Sequence, residues 1–196
     1  MSSTTDEHGM SLVSDEDLQK AVVGELKPYN ATITLVDYDP DWPRLFAREA
    51  ERIRATLGDT ALQIEHAGST SVPGLPAKPI IDIVLVVPDS TDESSYVPAM
   101  EAAGYVLRIR EPDWFEHRMF KGPDTNINLH VFSAGTLEIE RMLRFRDWLR
   151  AIDADRDHYA NAKRELAKRT WRHVQHYAYA KTAVIHEIMK RADAAT

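Results

Sequence analysis

The residues with the most chemical potential lie between 64 and 87. There Glu65-His66-Ala-Gly68-Ser69-Thr70-Ser71 passes through Val-Pro-Gly-Leu-Pro-Ala to Lys78, then enters an apolar run, 79–87, whose single charge is Asp82. Gly68 permits close backbone approach, and Ser69, Thr70 and Ser71 add hydroxyls that can hold a phosphate. Lys78, between two prolines, can meet a phosphate or neutralise Asp82. Continuous Ile/Val/Leu runs are usually covered on both faces, so an acid inside one needs a partner, a metal or a raised pKa. Further on, residues 126–132 alternate, with Asn126, Asn128, His130 and Phe132 sharing one face. In that polar row His130 is either a structural side chain or a metal ligand or base. Trp114, Glu116, His117 and Arg118 lie on a polar connection that can cover a cleft, with Arg118 as a phosphate ligand. Near the end, His158-Tyr159-Ala-Asn-Ala-Lys163 is echoed by His176-Tyr177-Ala-Tyr-Ala-Lys181, each placing Tyr and Lys one helical turn apart. Such a stripe either covers a sheet while its lysines snorkel to water, or brings Lys163 and Lys181 to the rim of a cleft to bind phosphates.

Several chemistries are excluded. The Gly-x4-Gly-Lys-[Ser/Thr] loop, the Gly-x-Ser-x-Gly elbow and the dinucleotide-binding glycine pattern are all absent. No cysteine occurs, which removes disulfides, thiolate catalysis and Cys-based zinc sites. A net charge of -7 argues against a general binder of long nucleic acid. No apolar run nears the roughly 18 residues that span a membrane, and Met1 to Met10 is polar and acidic, unlike a signal peptide. The expectation is a cytoplasmic protein.

These groups must be positioned by mixed elements. An N-terminal arm, residues 1–30, is expected to be disordered over 1–13 and helical from Ser14, with Leu18, Val22 and Leu26 on one stripe, until Pro28-Tyr29-Asn30 stops it. This arm could dock on the domain or build a homo-oligomer. Residues 32–36 read as a strand. Asp41 and Pro43 open a helix in which Trp42, Leu45 or Phe46, Ala50, Ile53 and Leu57 repeat at 3.6-residue spacing, ended by Gly58. Strands are predicted over 62–66, 79–87, 105–110, 117–121 and 126–132, with a short helix from near Pro98 to Gly104. Three helices are predicted over 137–193, the last running from Trp171 to Ala192. The fold class is α/β (α+β): a sheet domain over 31–135 and a C-terminal helical segment over 136–196 packed on it.

An apolar-Gly-Ser turn followed after twelve residues by Asp at the start of an apolar strand resembles the signature of the DNA polymerase β-like nucleotidyltransferases. The fuller stretch, Glu65-His66-Ala-Gly-Ser-Thr-Ser-Val-Pro-Gly-Leu-Pro-Ala-Lys-Pro-Ile-Ile-Asp82, resembles the hallmark of the GrpB family, one branch of that superfamily. The resemblance extends to Tyr38-Asp-Pro-Asp-Trp42, Asn128-Leu-His130-Val, Phe145-Arg146-Asp147-Trp-Leu149-Arg150 and the two Tyr-to-Lys repeats, about residues 32–192. It implies a nucleotidyltransferase-like mixed sheet flanked by helices. Gly68, Ser69, Thr70, Ser71, Lys78, Arg118, Lys163 and Lys181 would hold the phosphates of an NTP. Asp82 and His130 would be the catalytic and metal-binding pair, with Mg2+ or Mn2+ as cofactor and a small-molecule acceptor as second substrate. The superfamily's Asp-x-[Asp/Glu] falls here on Asp82-Ile83-Val84, so the second carboxylate is missing. Three readings follow: an unusual metal site of Asp82 and His130, His130 as a base, or a fold that binds nucleotides without transferring them.

Overall fold

The computed structural model describes residues 3–5 and 11–195. The chain opens with a hairpin of β1 (Ser3–Thr5) and β2 (Ser11–Val13), then α1 (Asp15–Ala21) and the two-residue strand β3 (Ala31–Thr32). The long helix α2 (Trp42–Leu57) leads into β4 (Gln63–Ala67), the Ser69–Ser71 turn and β5 (Ile81–Val87). After α3 (Val97–Ala102) come β6 (Val106–Glu111), β7 (His117–Lys121) and β8 (Ile127–Ser133). The remainder is α4 (Leu137–Ala151), α5 (Asp153–Ala167), β9 (Thr170–Trp171), α6 (Val174–Ala180) and α7 (Thr182–Ala194).

Five strands form one mixed sheet in the spatial order β4-β5-β8-β7-β6; β5 and β8 run parallel and the other pairs antiparallel. One face is closed by α2 and α3. Trp42, Ile53, Leu57, Tyr96 and Met100 pack there on Ile81, Ile83, Leu85, Leu107, Phe120, Leu129 and Val131. Each such buried side chain contributes about 1.5–3 kcal/mol. On the other face α4 covers only part of the sheet, through Ile139, Met142 and Leu143 on Ala67, Val84, Val86 and Phe132. α5 and α7 pack behind α4 on Val72 and Leu75 of the loop after the Gly-Ser turn. The α/β class with a C-terminal helical tail is therefore as expected. No helix among the described residues is long and apolar enough to cross a membrane.

Several local expectations are corrected. Within the 1–13 stretch expected to be disordered, Ser3–Thr5 pairs with Ser11–Val13; residues 1, 2 and 6–10 lie outside the described residues. Ser14 does cap α1, accepting from the Asp17 N–H at 3.1 Å, but the helix stops at Ala21 rather than near Leu26. Val22 instead bridges Ile109 and the Val23 N–H donates to the Arg108 carbonyl at 2.8 Å, so the arm covers the exposed edge of β6. The 32–36 strand is reduced to two separate pairings, β3 with β9 and Val36 with Ala77. That pairing draws Trp171 out of the expected last helix, which breaks again at Lys181 between α6 and α7. Asp41 makes no side-chain cap; its carboxylate pairs with Arg44 at 2.9 Å.

Candidate active site

The register of the sheet places the polar residues in rows on the face that α4 leaves partly open. Asp82 lies beside Asn128, and Asn128 beside Lys121; one step along, Val84 lies beside His130, and His130 beside Met119. His130 thus stands next to the position where a second carboxylate is missing. The Asn128 amide donates to Asp82 Oδ1 at 2.8 Å, while Asn128 Oδ1 accepts from Lys121 Nζ at 2.6 Å. His130 Nε2 is 3.7 Å from the same Asp82 oxygen, beyond direct hydrogen-bond range. Burial alone would raise the Asp82 pKa, but His130, the Asn128 amide and Lys78 more than offset this and hold it below the ordinary carboxylate value. Its side chain keeps 29% exposure, so it remains reachable.

Gly68 closes the site from the β4 side. It adopts φ +65°, and a Cβ there would lie 2.2 Å from Asp82 Oδ2. Glycine is thus required both by the backbone and by the carboxylate pressed against it. Ser71 locks the turn by donating its hydroxyl to the Gly68 carbonyl at 2.6 Å, and Thr70 pairs with His66 Nε2 at 3.0 Å. Arg150 on α4 donates twice to the Ser71 carbonyl, at 3.0 and 2.8 Å. The Thr70 and Ser71 hydroxyls therefore shape the turn, and Ser69 is the hydroxyl of the three that meets a lysine.

Around Asp82 gather four lysines. Lys163 on α5 is 2% exposed, donates to Ser69 Oγ at 2.9 Å and to the Pro76 carbonyl, and sits 4.8 Å above the Tyr159 ring. Lys181 and Lys78 flank the Tyr177 ring, at 5.0 and 5.6 Å from its centre. Both Tyr-to-Lys repeats thus fold each lysine onto its own tyrosine, and Lys163 does not snorkel to water. Burial pushes Lys163 down to about 6, with repulsion from Lys181 and Arg164 adding to it. Burial and Lys181 lower Lys78 to about 8. Burial also lowers Lys181 and Lys121, against the attraction of Asp82. The Tyr177 hydroxyl is buried with no hydrogen-bond partner among the described residues. One carboxylate facing four lysine amino groups leaves a surplus of donors that a polyanion would satisfy.

Along the same face, His130 Nδ1 is 3.0 Å from His117 Nε2, and His117 Nδ1 is 2.7 Å from Glu111 Oε2. Phe132 stacks on His117 at 4.9 Å and Trp114 meets it edge-on at 5.1 Å.

Of the residues expected at the site, Gly68, Ser69, Lys78, Asp82, His130, Lys163 and Lys181 converge. Arg118 does not. It pairs with Val131 in register and so lies on the opposite face, where it donates to Glu93 at 2.6 Å and to the Glu116 carbonyl at 2.9 Å. Replacing Arg118 with alanine is expected to lower stability by about 1–2 kcal/mol through the lost charged hydrogen bonds. Phosphate binding, read by calorimetry, should not change. His66 is likewise structural: it stacks on Phe46 at 4.8 Å, and burial lowers its pKa to about 4, so it is neutral at pH 7. Arg146 and Asp147 form an ion pair at 2.8 Å, and Arg146 also holds Glu65 at 2.9 Å. Lys121 and Glu111 are absent from the residues expected there, whereas His117 belongs to the polar connection expected to cover a cleft and Tyr177 to the second Tyr-to-Lys repeat. Lys121, Met119 and His117 alternate along 117–121, and that period is the signal that would find Lys121.

Two other clefts, of about 580 and 530 Å3, show no comparable surplus of charge. Their arginines are already paired, Arg141 with Glu138, Arg144 with Asp193, Arg146 with Glu65 and Asp147, Arg150 with Asp147, and Arg156 with Asp153.

The chain belongs to the GrpB family: the family model described as GrpB protein matches residues 32–191. It is 71% identical over 181 residues to a UPF0157 protein of Halalkalibacterium halodurans, covering 92% of this chain and 93% of that one. The fold is similar to a crystal structure of the conserved protein GrpB from Enterococcus faecalis, with a TM-score of 0.69 and 33% identity over 81% of this chain and 96% of the other. A dephospho-CoA kinase of Mycolicibacterium paratuberculosis is 28% identical over 83% of this chain, which matches 46% of that protein's length.

Proposed function

We propose that this chain binds a nucleoside triphosphate together with a divalent metal in the cytoplasm and transfers its nucleotidyl group to a small-molecule acceptor, or activates that acceptor. The observation that carries the reading is the surplus of donors: Lys78, Lys121, Lys163 and Lys181 around the single carboxylate of Asp82, beside the Gly68–Ser69 turn. Ser69 and the lysines hold the phosphates and stabilise the charge that builds on the leaving group. A hydroxyl or amine of the acceptor forms a bond to the α-phosphorus with its lone pair. The bridging P–O bond breaks, pyrophosphate leaves with the bonding electrons, and the acceptor's proton passes to solvent.

Asp82 Oδ1 and His130 Nε2, 3.7 Å apart, are the pair that would hold the metal. Among the described residues no group of three or more His, Asp or Glu side chains forms a metal cage, so phosphate oxygens must complete the shell. A mixed nitrogen and oxygen pair suits Mn2+ better than Mg2+. When bound, the ion supplies Lewis-acid polarisation of the phosphate.

A second reading, a nucleotide-binding or accessory module without transfer, is favoured by Val84 at the second carboxylate position and by the dephospho-CoA kinase similar over part of its length. Thermal unfolding separates the two, using the four NTPs with and without Mg2+ or Mn2+ on wild type and Asp82→Asn. The transferase reading expects stabilisation that needs nucleotide and metal together and disappears in the variant. Saturating ligand at about 100 times Kd adds about 2.7 kcal/mol, some 5–10 °C for a chain of this size. Stabilisation that persists without metal and in Asp82→Asn would favour the module, and none with any nucleotide would sink both.

A further inference from the structure

We infer that the Tyr177 hydroxyl is a ligand-binding donor, which with Lys78 and Lys181 forms a subsite for one phosphoryl group of a bound polyphosphate. The inference rests on the reading of the lysines around Asp82 as polyphosphate ligands, and it adds this subsite to the one at Ser69 and Lys163.

The two Tyr-to-Lys repeats build the same device twice and finish it differently. In each, the lysine one helical turn along lies over the ring of its own tyrosine, Lys163 over Tyr159 at 4.8 Å and Lys181 over Tyr177 at 5.0 Å. The first is completed by the protein itself, since Lys163 donates to Ser69 Oγ at 2.9 Å and to the Pro76 carbonyl. The second is not. Lys181 and Lys78, which approaches the same Tyr177 ring at 5.6 Å, make no hydrogen bond or ion pair among the described residues. The Tyr177 hydroxyl also lacks a partner among them, in a side chain only 1% exposed. Buried hydroxyls are seldom left unpaired, because the loss of water then goes uncompensated. An orphan hydroxyl beside two amines is matched by a ligand atom that only accepts, and a phosphoryl group offers several such oxygens.

Packing holds the ring in place. Trp171 meets it edge-on at 6.1 Å, and Ile33 and Ala167 belong to the same buried cluster. The hydroxyl is thus positioned by apolar contacts alone. Burial raises the pKa of the phenol, so it keeps its hydrogen at neutral pH and can donate. The Tyr159 phenol, which faces Ser69, is near enough to act on Tyr177, and Lys181 is near enough to repel both Lys163 and Lys78. The Tyr177 subsite therefore adjoins the Ser69–Lys163 pair, and one polyphosphate chain can meet both. Two amines that repel each other and a hydroxyl without an acceptor are all relieved by the same anion.

Tyr177→Phe removes the hydroxyl and keeps the ring, so stability and binding should move in opposite directions. The unfolding temperature of the full chain without ligand should rise by about 3 °C, because an unpaired buried hydroxyl is lost. Isothermal titration with inorganic tripolyphosphate, with Mn2+ present, should show affinity weakened about tenfold. Tyr179→Phe, on the same helix with its side chain 43% exposed, should change neither. An unfolding temperature unchanged or lowered in Tyr177→Phe would overturn the inference, since the hydroxyl would then have a partner in the free protein. So would tripolyphosphate affinity equal to that of wild type, or weakened as much in Tyr179→Phe. No binding by the wild type would sink the polyphosphate reading and this subsite with it, an outcome distinguishable from failure of the subsite alone.

Discussion

Replacing Gly68 with alanine is expected to lower the unfolding temperature by about 10 °C and to abolish phosphate binding. Two independent effects coincide at this position. The backbone conformation, φ +65° with ψ -171°, belongs to a region that side-chain-bearing residues avoid, and holding alanine there costs about 1–3 kcal/mol. A Cβ would also lie 2.2 Å from Asp82 Oδ2, so the carboxylate must swing away or the turn must lift. Either movement separates Ser69 from Asp82, the two ends of the proposed phosphate–metal site. A total near 3 kcal/mol corresponds to about 10 °C in a chain of this length. Differential scanning calorimetry reads the first effect and titration with a nucleoside triphosphate the second. An alanine variant of unchanged stability and affinity would mean the turn is not pressed on Asp82.

Binding of a triphosphate is expected to weaken by about tenfold per pH unit between pH 7 and 8, with uptake of a proton. The cause is Lys163, whose pKa burial and neighbouring cations have lowered to about 6, so it is largely neutral at pH 7 in the free protein. An incoming polyanion favours the charged ammonium and raises that pKa. The bound state then holds more protons than the free state, and affinity falls as pH rises above the free value. Lys78, lowered to about 8, adds a second proton of linkage above pH 8. Calorimetry in two buffers of different ionisation enthalpy measures the uptake. In Lys163→Met the slope between pH 7 and 8 should be lost. The same lowered pKa also acts on folding. The unfolded chain binds more protons than the native one between about 6 and the ordinary lysine value, so this group's contribution to stability rises with pH across that window.

Much of this architecture was legible because its signals are periodic. Residues 117–121 form β7 over the predicted span, and the apolar run ending at Val87 is β5. Asp82 stood out as a lone charge in that run, and the Gly68 turn before it was readable from spacing. What stayed hidden depends on register across distant strands. Nothing local to Lys121 shows that it meets Asn128, and through it Asp82; that follows only from β7 pairing with β8 and β8 with β5. Arg118 was read on a connection over the cleft, but it lies inside β7 beside Val131, where the alternation of a strand turns its side chain to the other face of the sheet. The tail was harder still. A continuous helical pattern over 171–192 concealed the break at Lys181, which tertiary contacts of Trp171 and Tyr177 with Ile33 and Ala167 help to set.

The central claim is that the lysines around Asp82 hold a polyphosphate. The most direct measurement is isothermal titration of the wild-type chain with ATP, GTP, CTP and UTP, each with Mn2+, beside the same titrations of Lys163→Met. Saturable one-to-one binding of at least one nucleotide, weakened tenfold or more in Lys163→Met, is the predicted result. Equal affinity in the two proteins, or no heat from any nucleotide, would contradict it.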